Sequence, residues 1–360
     1  MLVAGLLLIG LVADGDGLFA FAGAQLARIA RSGVLLYAGA VVMIAAVTVT
    51  LNLDTSVAFL TPVLVYTARS RSGPGRAGLA EAGTGAALLY GCLMLSNAGS
   101  LLLPGSNLTN LIVLGHLGLT GGQFVARMWL PWLAALAVTA AVVAVGERRS
   151  LTGGAAKAAR PAPATAADPA RAAGPDRPVL GVGLAAVLLA TVLVVTLSQP
   201  ALPVAATGVM AAGIRVAQRR ERPGQVREVL GLPVLTGLFG VAVALGALGR
   251  AWSGPAMLLA HLDGWATAVV AALAAVVVNN LPAASLLAAR TPDHPFSLLI
   301  GLNIGPNLCV TGSLAWLLWL RAARGAGAEP SLARATRLGA VAVPLAMAAA
   351  LGALALTGTR

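Results

Sequence analysis

The stretch Gly301 to Leu320, GLNIGPNLCVTGSLAWLLWL, is apolar enough for a bilayer yet polar and helix-breaking in its middle. Pro306 removes a backbone donor there, and Gly301, Gly305 and Gly312 loosen the turns around Asn303, Asn307, Thr311 and Ser313. An ordinary lipid-facing helix cannot contain that middle. Unwound backbone at membrane depth survives only where protein or a watery cavity satisfies its N–H and C=O groups, and in transporters such breaks hold substrate and ions. The break is the first candidate site.

The rest of the chain supports a membrane setting. Hydrophobic residues make up 58% and charged residues 10%, with a mean hydropathy of +0.89, which excludes an ordinary soluble domain. Length allows about ten apolar segments of spanning or half-spanning size. Because the apolar runs are continuous rather than alternating, the class is an all-α polytopic membrane protein and not a barrel. A net charge of +12 would suggest a nucleic-acid partner in a soluble protein. Here the basic residues sit between apolar runs, so the partner they imply is the bilayer of the cell membrane. Cys92 and Cys309 lie far apart inside apolar segments and indicate neither a disulfide framework nor a CxxC metal site.

Three regions follow from composition. Residues 1–146 form a first membrane repeat, 147–178 an Ala/Pro/Gly-rich basic linker, and 179–360 a second repeat led by two extra spans. The N-terminus has no basic n-region, so no cleavable signal peptide is expected. Residues Leu2 to Ala13 are too few to span, and the two leading spans of the second half have no counterpart in the first, which suggests either a true start upstream of Met1 or a truncated chain lacking N-terminal spans.

The halves repeat one order: span, interfacial helix, broken hairpin, broken span, plain span. LNLDTSVAFLTP answers VVNNLPAASLLA, and LSNAGSLLLPGSN answers LNIGPNLCVTGS. With a cytoplasmic linker and two hairpins that re-enter without crossing, twenty of the twenty-four Lys and Arg residues fall inside. Only Arg127, Arg250, Arg290 and Arg360 fall outside. The expected fold is an inverted-repeat transporter with two re-entrant hairpins and two broken transmembrane helices.

Candidate substrate- and ion-binding residues are those at the four breaks. In the first half they are Asn52, Asp54 and Thr55, then Asn97, Ser100, Ser106, Asn107 and Asn110; in the second, Asn279 and Asn280, then Asn303, Asn307, Thr311 and Ser313. Such neutral donors and acceptors, with unwound carbonyls and half-helix N-termini, can hold a dehydrated ion or small solute, or can merely bond neighbouring helices. Asp54 reads as the one carboxylate inside an apolar segment, where a charge costs roughly 2.5–3.5 kcal/mol. It is either a proton- or cation-binding group or a cap on a half-helix. Cys92 reads as a small apolar residue; Cys309, inside a break, leaves a soft-metal role open. His116, His261 and His294 read as interfacial, and Trp129, Trp132, Trp252 and Trp265 as outer aromatic-belt anchors. No GxSxG, HExxH, Walker or Rossmann pattern has a suitable context, so no enzyme and no cofactor are expected; a proton or sodium gradient is the driving force.

The segment GPNLCVTGSLAWLLWL resembles the C-terminal signature of bacterial arsenite permeases (ArsB type). NNLPAASLLA and DTSVAFLTPVLV are similar to the paired signatures of that family within the ion transporter superfamily, to which dicarboxylate carriers also belong. The chain departs from arsenite permeases at Asn307, where a basic residue is usual, and at Cys309-Val310, where a Thr-Pro pair is usual. It also lacks the twin Ser-Asn-Thr motifs of the dicarboxylate carriers. The resemblance implies an elevator-type secondary transporter in which hairpins and broken helices frame the substrate. The function expected first is proton-coupled arsenite or antimonite efflux. The alternatives are cation-coupled transport of a small anion or carboxylate, and sodium/proton antiport. The fold admits a homodimer.

Overall fold

In the computed structural model, the residues described are 1–72, 84–115, 117–152, 181–197, 199–221, 223–230 and 232–357. Among them the chain is entirely helical, with no strand. The first half runs α1 (Leu2–Gly15), α2 (Leu18–Ile29), α3 (Gly33–Thr50), α4 (Leu53–Ser72), α5 (Thr84–Gly99), a 3-10 turn at Pro104–Ser106, α6 (Leu108–Leu114), α7 (Gly121–Gly146) and α8 (Arg148–Thr152). The second runs α9 (Val182–Thr196), α10 (Ala201–Ala217), α11 (Pro223–Leu230), α12 (Leu232–Ala251), α13 (Gly254–Ala260), α14 (Gly264–Val278) and α15 (Asn280–Leu287). It ends with α16 (Pro295–Ile304), a 3-10 turn at Gly305–Leu308, α17 (Leu314–Gly325) and α18 (Leu332–Leu356).

Three helices, α3, α7 and α18, are each long and apolar enough to cross a bilayer, and the bent pairs α1/α2 (58°) and α12/α13 (71°) raise the number to five. The chain is a multi-pass membrane protein. Local chemistry sets the bends: Gly17 adopts φ 77° between α1 and α2, a left-handed conformation that glycine reaches without a Cβ penalty. Ser32 caps α3 by accepting from Leu35 N, and Thr120 and Gln123 close a capping box on α7.

The two plain spans, α7 and α18, pack along each other and run antiparallel. Gly146 meets Leu338 at one end, and Arg127 and Leu354 share a cavity wall at the other. Glu147, 2% exposed, is clamped by the Arg334 guanidinium, whose Nε donates to Glu147 Oε1 at 2.7 Å. Burial pushes the Glu147 carboxyl above its ordinary range while Arg334 opposes the shift. This corrects the expected linker start: Glu147 belongs to the membrane body and 148–152 form a short helix, while 153–180 lie outside the described residues, as do the loop 73–83, His116 and Arg360.

Two apolar cores hold the molecule. The first gathers α1, α3, α4, α5, α9, α10 and α17 around Leu6, Ile44, Leu60, Tyr90, Trp316 and Trp319. The second gathers α6, α7, α14, α15, α16 and α18 around Phe124, Leu298, Ile300 and Met347. Each broken helix therefore starts in one core and ends in the other, because α5 lies mainly in the first and α6 in the second, whereas α16 lies in the second and α17 in the first. Their breaks meet between the cores.

The two helices expected as extra spans, α9 and α10, are 15 and 17 residues long, shorter than the spanning helices, and pack on α1. A buried ion pair fixes the joint: Arg215 Nη1 lies 2.7 Å from Asp16 Oδ1, and Gly183 N donates to Asp16 Oδ2 at 2.7 Å. Arg215, expected in a cytoplasmic loop, is 4% exposed in the last turn of α10. Three other carboxylates, Asp16, Glu147 and Glu221, are buried at helix ends, each beside an arginine, whereas Asp54 is half-buried within α4.

Candidate functional site

Four half-helices begin at the four breaks. Asn52 accepts from Thr55 N at 2.7 Å and starts α4; Asn107 accepts from Thr109 N at 3.2 Å and starts α6. Asn279 accepts from Leu281 N at 3.4 Å and starts α15. Ser313 starts α17 but makes no capping bond. Asparagine suits these places because its side-chain oxygen takes an orphan N–H of the first turn. Each start carries the positive end of a helix dipole.

Between the breaks lies an amide network. Asn303 Oδ1 accepts from Ser100 Oγ and from Asn107 Nδ2, both at 2.7 Å; its Nδ2 donates to Asn110 Oδ1 at 2.9 Å and to Leu299 O at 2.8 Å. Asn97 Nδ2 donates to Asn307 Oδ1 at 2.9 Å, and Asn307 Nδ2 donates to Met94 O at 3.0 Å. Asn110 Nδ2 also reaches Ser100 O and Leu103 O, carbonyls freed by the unwinding. Asn303 and both Asn307 side-chain atoms are satisfied within the protein, so these residues tie one broken helix to the other. Ser106 donates to Val49 O at 3.1 Å, which ties the first break to its hairpin.

The hairpin tips complete the arrangement. At the first, Ser56 and Ser96 hydroxyls lie 3.1 Å apart. At the second, Asn280 N donates to Gly312 O at 2.9 Å, Asn279 Nδ2 to Thr311 O at 3.2 Å, and Thr311 Oγ1 to Val276 O at 2.6 Å. Cys309 Sγ lies 2.9 Å from Thr311 Oγ1. Among the described residues no cluster of three or more metal-ligating side chains occurs.

Unpartnered groups point to where a ligand fits. Of ten buried side-chain atoms without a partner among the described residues, six lie at the breaks: Thr48 Oγ1, Asn52 Nδ2, Thr55 Oγ1, Asn97 Oδ1, Thr109 Oγ1 and Ser313 Oγ. A buried polar atom left unpaired costs about 1–3 kcal/mol, so this concentration makes the breaks the candidate site for a bound species. Asp54, half-buried in the first turn of α4, has no ion-pair or hydrogen-bond partner among the described residues.

Thr48, Ser56, Ser96 and Thr109 are not among the expected ligands: Thr48 lies in an apolar run, and the other three sit in or beside the breaks next to more prominent polar residues. Sequence reasoning also misplaced Trp132: this side chain is half-buried and its Nε1 donates to Gly99 O at 3.1 Å, holding the end of α5. Trp316 does the same in the other half, donating to Pro306 O at 2.8 Å. Trp129, Trp252 and Trp265 are exposed.

Comparison with known proteins gives one family. The sequence profile of the citrate transporter family (CitMHS) matches residues 1–322. No curated protein matches the chain. Among solved structures, the YdaH transporter of Alcanivorax borkumensis, whose crystal structure is described as revealing an unusual topology, is 16% identical. That match covers 99% of this chain and 84% of the other, with a TM-score of 0.47. The family match supports the secondary-transporter part of the expectation and not its arsenite-permease type. The chain belongs to the citrate transporter family.

Proposed function

We propose that the protein is a cation-coupled carrier of a small carboxylate of the citrate class. The observation that carries this reading is the set of four half-helix starts at breaks that contain no Lys or Arg. An anion held there leans on helix N-termini and on amide and hydroxyl donors such as Asn52 Nδ2 and Ser313 Oγ. Those partial charges do not balance a multivalent carboxylate, so cations accompany it. Hydroxyl, amide and freed carbonyl oxygens around Thr48, Thr55 and Asn97 supply ligands for them, and Asp54 supplies the one formal negative charge. The antiparallel plain spans support the inverted-repeat reading, with the hairpins framing the substrate. Family membership supports carboxylate over arsenite, and the half-buried Cys309 keeps metalloid efflux as the competitor to test.

The test is uptake into proteoliposomes of labelled citrate, a dicarboxylate and arsenite, under an imposed sodium or proton gradient in turn. Saturable, gradient-driven citrate uptake with no arsenite movement is the expected result. Arsenite or antimonite resistance in a sensitive host, without carboxylate uptake, would overturn the reading.

A further inference from the structure

We infer a second, peripheral anion site at the N-terminus of α16, at the end of α7 away from Gly146, with a small hydroxycarboxylate as its ligand class; the ligand class rests on the carboxylate reading above. A cavity of about 390 Å³ opens there, lined by Arg127, Asp293, His294, Phe296 and Ser297 with Leu354 at its base. None of its lining residues belongs to the amide network, yet it shares a helix with it. Ser297 and Asn303 are six residues apart on α16, about 9 Å along the axis.

Three features make this an anion site. Helix α16 is ten residues long, and its N-cap His294 makes no side-chain capping bond, so the first-turn N–H groups have no capping acceptor. Ser297, in that first turn, is 6% exposed as a residue, lines the cavity and makes no side-chain hydrogen bond among the described residues. Its hydroxyl is therefore free to donate to a ligand held there. The Arg127 guanidinium lies 5.3 Å from the Phe296 ring centre and has no carboxylate partner among the described residues. Stacking on that ring holds the charge over the start of the helix.

Asp293 is the lining's one carboxylate and is exposed. It repels a bare anion but accepts a hydrogen bond from an alcohol or a protonated carboxyl. A hydroxycarboxylate answers both demands: its carboxylate meets Arg127, Ser297 and the helix start, and its hydroxyl meets Asp293. The cavity therefore captures substrate at the end of a helix whose other end forms the central site.

The experiment uses the full chain carrying Ser297→Cys, with Cys309→Ala to silence the half-buried thiol, while Cys92 stays fully buried. An anionic methanethiosulfonate should modify the introduced thiol about tenfold faster than a cationic one, and citrate should slow the reaction. Arg127→Gln should remove both effects, and Arg127→Lys should retain the charge preference. Equal rates for the two reagents without citrate protection, or protection that survives Arg127→Gln, would overturn the site. Citrate protection in a chain that moves no citrate would keep this site and remove the citrate-transport reading. Normal citrate uptake without protection would do the reverse.

Discussion

The two hairpin tips correspond in sequence and differ in what they leave unsatisfied. At the first, Asn52 keeps a buried, unpartnered Nδ2, Thr48 and Thr55 keep unpartnered hydroxyls, and Asp54 keeps a carboxylate without a partner among the described residues. At the second, the Asn279 amide donates to Thr311 O, the Thr311 hydroxyl to Val276 O, and the Asn280 backbone N–H to Gly312 O. Ser313 alone adds an unpartnered hydroxyl there. The difference teaches that pattern symmetry does not imply equal roles. The first tip keeps several unpartnered polar groups, as the proposed cation site requires, whereas the second ties its Asn279 and Thr311 side chains to backbone carbonyls.

The sharpest way to break that contrast is Asp54→Asn. It should reduce gradient-driven uptake to less than about a tenth while leaving membrane insertion intact, because Asn keeps the size and much of the capping ability. Uptake that persists with the same pH dependence would move coupling away from the first tip. Next in size is Asn303→Ala, which strips partners from Ser100, Asn107 and Asn110 at once. A loss of about 3 kcal/mol is expected in detergent unfolding; an unchanged midpoint would mean that the amide network does not join the two breaks.

A smaller effect distinguishes backbone from side chain at the second tip. Asn279 sits at φ 79° and ψ 149°, a region that costs a non-glycine residue about 1–3 kcal/mol. Asn279→Gly should therefore be tolerated within about 1 kcal/mol, strain relief offsetting the lost cap, while Asn279→Ala should cost about 1–2 kcal/mol more than Asn279→Gly. Equal stability of the two variants, read by thermal unfolding, would remove the conformational argument. The smallest change expected is Ser313→Ala, whose hydroxyl has no partner to lose. Stability should stay within about 0.5 kcal/mol while the KM for citrate rises a few-fold; an unchanged KM would place the ligand at the first tip alone.

Much of the architecture is legible in the residues. Pro306 and its neighbouring glycines, Pro104-Gly105, and the Asn52 and Asn279 caps each disrupt or restart a helix through purely local chemistry, so the four breaks appear where the sequence puts them. Continuous apolar runs likewise establish helices in a bilayer, since a lipid-exposed backbone must satisfy itself within each segment. The shorter reach of sequence shows at Trp132, Glu147 and Arg215. Each looks like a boundary residue, yet each bonds a partner from elsewhere in the chain, Glu147 and Arg215 buried and Trp132 half-buried.

What the sequence by itself determined is thus where helices stop and which polar groups lie at the stops, because those outcomes depend on neighbours within a turn. The tertiary structure alone decided which of those groups are consumed. Asn303 and Asn97 read alike as candidate ligands, yet crossing of the two broken helices between the cores satisfies every polar atom of Asn303 and leaves Asn97 Oδ1 unpaired. That distinction arises from contacts about two hundred residues apart, and local spacing carries no information about them.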